Sequence, residues 1–208
     1  MKLEYREFPV EELRFDSGDE KTKKLSGYAA VFNKLSENLG GYREKIAIGA
    51  FEKTLKKADV RLLINHEGLP LARTKSGTLQ LSEDENGLRF TANLVTTDPD
   101  VQRIIPKMER KDLNQMSFGF YTVSDKWEHV EEEGKFSTRT LLEVDLYDIS
   151  IVTYPAYPQT NVNIRSAKEV YDAYILSLQA QDDGVKIEQQ RALAAHRERQ
   201  IKIWGYRI

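Results

Sequence analysis

The segment Leu142-Glu143-Val144-Asp145-Leu146-Tyr147-Asp148-Ile149-Ser150-Ile151 carries apolar side chains at 142, 144 and 146, then at 149 and 151. Alternation at period two is the mark of a strand with one buried face. The apolar parity changes partway along. The pattern therefore predicts a bulge or bend between Leu146 and Ile149. Upstream, Leu79-Gln80-Leu81-Ser82 and Leu88-Arg89-Phe90-Thr91-Ala92-Asn93-Leu94 flank Asp84-Glu85-Asn86-Gly87. That pattern predicts a hairpin, with Asn-Gly supplying the positive φ angles of a tight turn. Gly27–Phe32 and Val60–His66 read as further short strands, the second closed by Gly68 and Pro70.

Two helices interrupt this β-rich region. One is short, over Ala50–Lys57; the other opens at Asp98-Pro99-Asp100 with a cap and a first-turn proline, and presents Ile104, Ile105 and Met108. Many strands with few helices predict a mainly β chain with α additions (α+β), closed or nearly closed into a barrel. Strands and helices do not alternate, which argues against a parallel Rossmann sheet. Composition divides the chain near residue 166, into a β domain over 1–165 and a helical C-terminal tail over 166–208. In the tail, Ser166-Ala167-Lys168-Glu169 fits a capping box, and Val170, Tyr174, Ile175 and Leu178 form an apolar stripe that suits self-association or packing on the barrel. Asp182-Asp183-Gly184 is expected to break the helix.

The 208 residues include no cysteine, which excludes disulfides, Cys-ligated metal and thiol catalysis. No apolar run is long enough to span a bilayer, and the first residues lack the apolar stretch of a signal peptide. The expectation is a cytosolic protein with no membrane partner. A net charge of −2 gives no reason to expect nucleic acid. The three histidines at 66, 129 and 196 form no ligand pair with metal spacing, so no metal or cofactor is expected.

Few residues remain to carry chemistry. His66 ends an apolar run, where a scaffold hands residues to a site; a capped surface histidine is the competing view. His129 sits in a charged loop and His196 on an exposed helix. In Met116-Ser117-Phe118-Gly119-Phe120 the large apolar groups share one strand face, and Ser117 and Gly119 share the other. A small residue packed beneath a neighbour would look the same. Glu143 and Asp145 are polar on one face of an apolar strand, as any solvent face would be, and Asp148 lies beyond the parity change. Together these supply a serine, a histidine and a carboxylate, the minimum for acyl transfer.

The ordered pieces Ser26–Asn33, Tyr42–Phe51, Asn65-His66-Glu67, Arg73–Leu79, Met116–Phe120 and Glu143–Pro158 resemble the prohead (capsid maturation) protease family of tailed bacteriophages. The resemblance implies a serine endopeptidase on an antiparallel β-barrel akin to the herpesvirus assemblins. It implies His66 as general base, Ser117 as nucleophile and a third, orienting residue on a later strand. Glu143 is the first choice for that role, with Asp145 and Asp148 as alternatives, and Arg165 is a candidate at the oxyanion site. The chain departs from its relatives at Ile48, Glu67 and Ala72. The implied substrates are the scaffolding protein, the scaffold-like arm of the major capsid protein and the protease itself, cut inside the assembling procapsid in the host cytoplasm. The tail would target the protease to scaffold or be trimmed, and a homodimer is expected by analogy with the assemblins.

Overall fold

A computed structural model describes residues 2–9, 14–16, 21–132, 134–153 and 161–205, with backbone alone for 8, 9, 16, 161–166 and 194–205. The chain divides into two compact units, 1–167 and 168–208.

The first unit is built on two sheets. The smaller has the order β2-β3-β8-β7, from β2 (Arg14–Asp16), β3 (Thr22–Val31), β7 (Leu79–Glu83) and β8 (Gly87–Val95). The larger has the path β1-β9-β10-β5-β6, from β1 (Leu3–Pro9), β9 (Gln115–Glu128), β10 (Ser137–Val152), β5 (Arg61–Ile64) and β6 (Glu67–Arg73), and β4 (Tyr42–Ile46) also pairs with β10. The two sheets share one core. Leu25, Phe90, Ala92 and Leu94 come from the smaller sheet, and Met116, Phe118, Phe120, Val144, Ile149 and Ile151 from the larger. Phe118 stacks on Phe120 and meets Phe51 edge-on.

Two expectations about architecture are corrected. Among the described residues the sheets do not close into a barrel. Nor is the larger sheet purely antiparallel, because β4 and β5 both run parallel to β10 along one flank. β10 has 16 residues, long enough for β4 to pair at Ser137–Leu141 and β5 at Asp148–Ile151. The gap between them is filled by the segment around α1 (Glu52–Leu55), shorter than the sequence predicts. There Val144 N–H donates to the Ala50 carbonyl and Leu146 N–H to Thr54 Oγ1, so this stretch of backbone stays satisfied without a strand beside it.

The bulge anticipated between Leu146 and Ile149 is present. Leu146 pairs with Phe120 and Asp148 with Gly119, leaving Tyr147 as the extra residue. The β7–β8 hairpin also forms, but not through positive φ at Asn86 or Gly87. Asp84 Oδ1 accepts the N–H groups of Asn86 and Gly87, closing the turn through a side chain. Gly87 is needed for space, since a Cβ there would lie 2.0 Å from the Ala30 carbonyl oxygen.

Helix α2 (Pro99–Glu109) starts as expected, with Asp98 Oδ1 accepting the Asp100 N–H, and buries Val101, Ile104, Ile105 and Met108. Helix α3 (Asn161–Gly205) differs from expectation at two points. It begins before Ser166, which is therefore not a cap. It also runs through Asp182-Asp183-Gly184 without a break. One interior glycine costs only about 1 kcal/mol relative to alanine, and Lys186 pairs with Asp182 at 2.7 Å across one turn. No helix of the described residues is long and apolar enough to cross a membrane.

Candidate active site

The site lies on the face of the larger sheet turned away from the core. Alternation puts Ser117 and Gly119 of β9 on that face. The Tyr147 bulge puts Asp148 and Ser150 of β10 there as well, while Ile149 and Ile151 turn into the core. Ser150 lies opposite Ser117, and Asp148 opposite Gly119. A strand without the bulge would send Asp148 into the core.

His66 reaches this face from a tight turn. Ile64 pairs with Glu67, and the two residues between them, Asn65 and His66, have φ of 52° and 61°. Positive φ at both central positions is the backbone of a type I′ hairpin, a conformation that asparagine and histidine tolerate better than most residues. The turn is tied down on both sides. Ser150 Oγ accepts the His66 N–H at 3.0 Å, and the Ile151 carbonyl accepts the Asn65 N–H at 2.9 Å. The Asn65 amide exchanges hydrogen bonds with Thr153.

From this turn the imidazole spans the serine and the aspartate. Nδ1 lies 2.5 Å from Asp148 Oδ1, and Nε2 lies 2.6 Å from Ser117 Oγ. An ionised carboxylate only accepts, so Nδ1 carries the proton, leaving Nε2 to accept from the serine hydroxyl. Ser117 and Asp148 are buried, and the His66 side chain, 14% exposed, is the solvent-facing member of the three. Asp148 Oδ2 is buried with no hydrogen-bond partner among the described residues. Among the described residues the aspartate is thus held by one strong partner, the imidazole.

Glu143, the first choice for the third residue, sits elsewhere. Its carboxylate accepts from Lys53 Nζ at 2.6 Å, and Asp145 pairs with Lys57 at 3.1 Å. Both lie on the same outer face as Asp148. They are farther up β10, at about 3.3 Å per residue, beside Lys53 and Lys57 and away from His66. The side chain of Arg165, the oxyanion candidate that the resemblance alone suggests, is outside the described residues, as is that of His196. His129 lies away from the site, its Nδ1 3.2 Å from Ser137 Oγ. Among the described residues no three His, Asp or Glu side chains gather to hold a metal ion.

Sequence reasoning missed two contributors. Ser150 was legible only as part of a quoted motif, yet it shares the parity of Asp148 beyond the bulge. Tyr5, on β1, packs its ring against the imidazole with centroids 4.3 Å apart. It was hidden because Leu3-Glu4-Tyr5-Arg6-Glu7 is too charged to read as a strand. The charges are nonetheless buried. Arg6 and Arg139 interleave with Glu4 and Glu44 in a cluster of ion pairs 2.7–3.0 Å long. Burial alone would raise the Glu4 carboxyl, but Arg6 and Arg139 more than offset it and hold it at about 2.

No curated protein and no solved structure matches the chain. A family sequence model does, over residues 10–173, and its description is caudovirus prohead serine protease. That span covers most of the molecule, including both sheets except β1, and all three residues that meet at the imidazole. The chain belongs to the caudovirus prohead serine proteases.

Proposed function

We propose that this chain is an active capsid-maturation endopeptidase in which Ser117 is the nucleophile, His66 the general base and Asp148 the orienting residue. One observation carries the proposal: a single imidazole is hydrogen-bonded at one nitrogen to a serine hydroxyl and at the other to a buried carboxylate. Nε2 takes the Oγ proton as Ser117 attacks the scissile carbonyl. Asp148 stabilises the imidazolium that forms and keeps Nδ1 protonated. The same proton then passes from Nε2 to the leaving amine, giving an acyl-enzyme. Water, deprotonated by His66, releases the acid and regenerates the serine.

The family's role in capsid maturation supports, as substrates, scaffolding protein or the scaffold-like arm of the major capsid protein, and the chain itself, inside the procapsid in the host cytoplasm. The order histidine, serine, third residue is that of the assemblins, which supports kinship with that fold and a homodimer as the working state. The C-terminal tail over 166–208 is suited to targeting the protease to scaffold. Co-expression with the cognate capsid and scaffolding proteins, followed by intact-mass analysis, tests the proposal. Wild type yields shortened capsid or scaffold chains and Ser117→Ala yields full-length ones. Identical processing by both variants refutes the assignment of the nucleophile.

A further inference from the structure

We propose that Tyr5 is a positioning residue that holds the His66 imidazole in line between Ser117 and Asp148. The inference rests on the protease assignment above, and it concerns a strand that precedes the family match at residue 10.

His66 stands at the tip of a two-residue turn, where little of the backbone supports a side chain laterally. Its two in-plane hydrogen bonds fix the ends of the imidazole but not its swing about the line joining them. Tyr5 blocks that swing. Its ring meets the imidazole at 4.3 Å between centroids, tilted by 52°. The Tyr5 phenol is pushed up from its ordinary value by burial and by the Asp148 carboxylate, so it stays neutral and adds no competing charge.

The seat for this ring is cut by Gly119. Tyr5 pairs with Gly119 across β1–β9, and Gly119 pairs with Asp148 across β9–β10, so the three stand in one row. A Cβ at 119 would come within 2.8 Å of Tyr5 Cε1 and 3.3 Å of Asp148 Oδ1. Register holds the ring in that row. Glu4 and Arg6 point to the opposite face of β1, into the cluster with Glu44 and Arg139. A slip of one residue would bury Tyr5 and Glu7 in place of the paired charges and turn Glu4 and Arg6 toward the triad.

The test uses the full chain as wild type, Tyr5→Phe, Tyr5→Ala, Tyr5→Leu and Gly119→Ala. Two quantities are read: the second-order rate of Ser117 labelling by a fluorophosphonate probe, and the downfield proton resonance of the His66 Nδ1–H. Tyr5→Phe keeps the rate within about twofold and retains the resonance. Folded Tyr5→Ala, with Tyr5→Leu in its place should alanine unfold the chain, loses about 10–100-fold in rate, the penalty of a loosened catalytic group, and its resonance broadens or disappears. Gly119→Ala moves both readouts the same way. Folded Tyr5→Ala or Tyr5→Leu with wild-type rate and an unchanged resonance overturns the proposal. If wild type is not labelled, the protease assignment fails, and the resonance alone still decides whether Tyr5 orders the imidazole.

Discussion

Replacing Asp148 with asparagine tests it against Glu143, two of the three carboxylates that the sequence offers for the third position. Asp148 Oδ1 lies 2.5 Å from His66 Nδ1, so the carboxylate charge is centred about 4 Å from the imidazolium that forms during attack. At that separation, with an effective dielectric of about 20, the attraction is worth about 4 kcal/mol, or about a 10³-fold effect on rate. Asparagine also presents an N–H to Nδ1. That favours the tautomer with its proton on Nε2, which cannot accept from Ser117. The combined loss expected in Asp148→Asn is about 10³–10⁴-fold in cleavage of the capsid substrate, with an unchanged far-UV circular dichroism spectrum. Glu143→Gln removes only a pair with Lys53, whose side chain is 71% exposed, so its rate stays within about twofold. A folded Asp148→Asn within tenfold of wild type, beside a Glu143→Gln that loses most activity, refutes the reasoning.

Three further outcomes are expected. Arg139→Met leaves Glu4 and Glu44 buried with one arginine between them, and urea unfolding at pH 7 should show a loss of about 3–5 kcal/mol; a loss under 1 kcal/mol would mean the cluster is not a closed network. Burial raises the Glu7 carboxyl to about 7, so its cost to stability is absent below about pH 4.5 and grows as pH rises through 7. Because the side chain is only partly buried, Glu7→Gln should gain only about 1 kcal/mol at pH 8 and nothing at pH 4, and a gain at pH 4 alone would reverse the sign. Asn65→Ala keeps φ near +52° without an asparagine there and loses the bonds to Thr153, for about 1–3 kcal/mol in thermal unfolding; Asn65→Gly recovers the backbone share, and equal losses in both would place the whole effect in the side-chain bonds.

The parts of the fold that were legible in sequence are those where a local signal decides a local structure. The parity change after Leu146 announced the bulge, Asp98-Pro99 announced α2, and the alternation around Ser117 put it opposite the core-facing phenylalanines. What stayed hidden depends on partners far along the chain. Alternation does not encode strand direction, so the parallel pairing of β4 and β5 with β10 could not be read from it. The choice among Glu143, Asp145 and Asp148 turned on which residue lies across from Gly119, a matter of register between β9 and β10. β1 was missed because its buried residues, Glu4 and Arg6, are charged. Their neutralising partners Glu44 and Arg139 are distant in sequence.

The wiring of β10 also governs when in its own synthesis the chain can bring the proposed triad together. The smaller sheet has all its strands once Val95 is made, and can assemble while the remainder is still being translated. The larger sheet cannot. β4 waits for β10, the β5–β6 hairpin has no other strand beside it until β10 arrives, and the turn that carries His66 is pinned by Ser150, Ile151 and Thr153. At roughly 5–20 residues per second the stretch from Ser117 to Thr153 takes a few seconds to emerge, and long-range strand pairing then adds its own delay. During that interval the nascent chain holds a serine and a histidine that have no means of meeting. For the proposed triad, β10, the last of the described strands to leave the ribosome, acts as a built-in timer that keeps its members apart until it emerges.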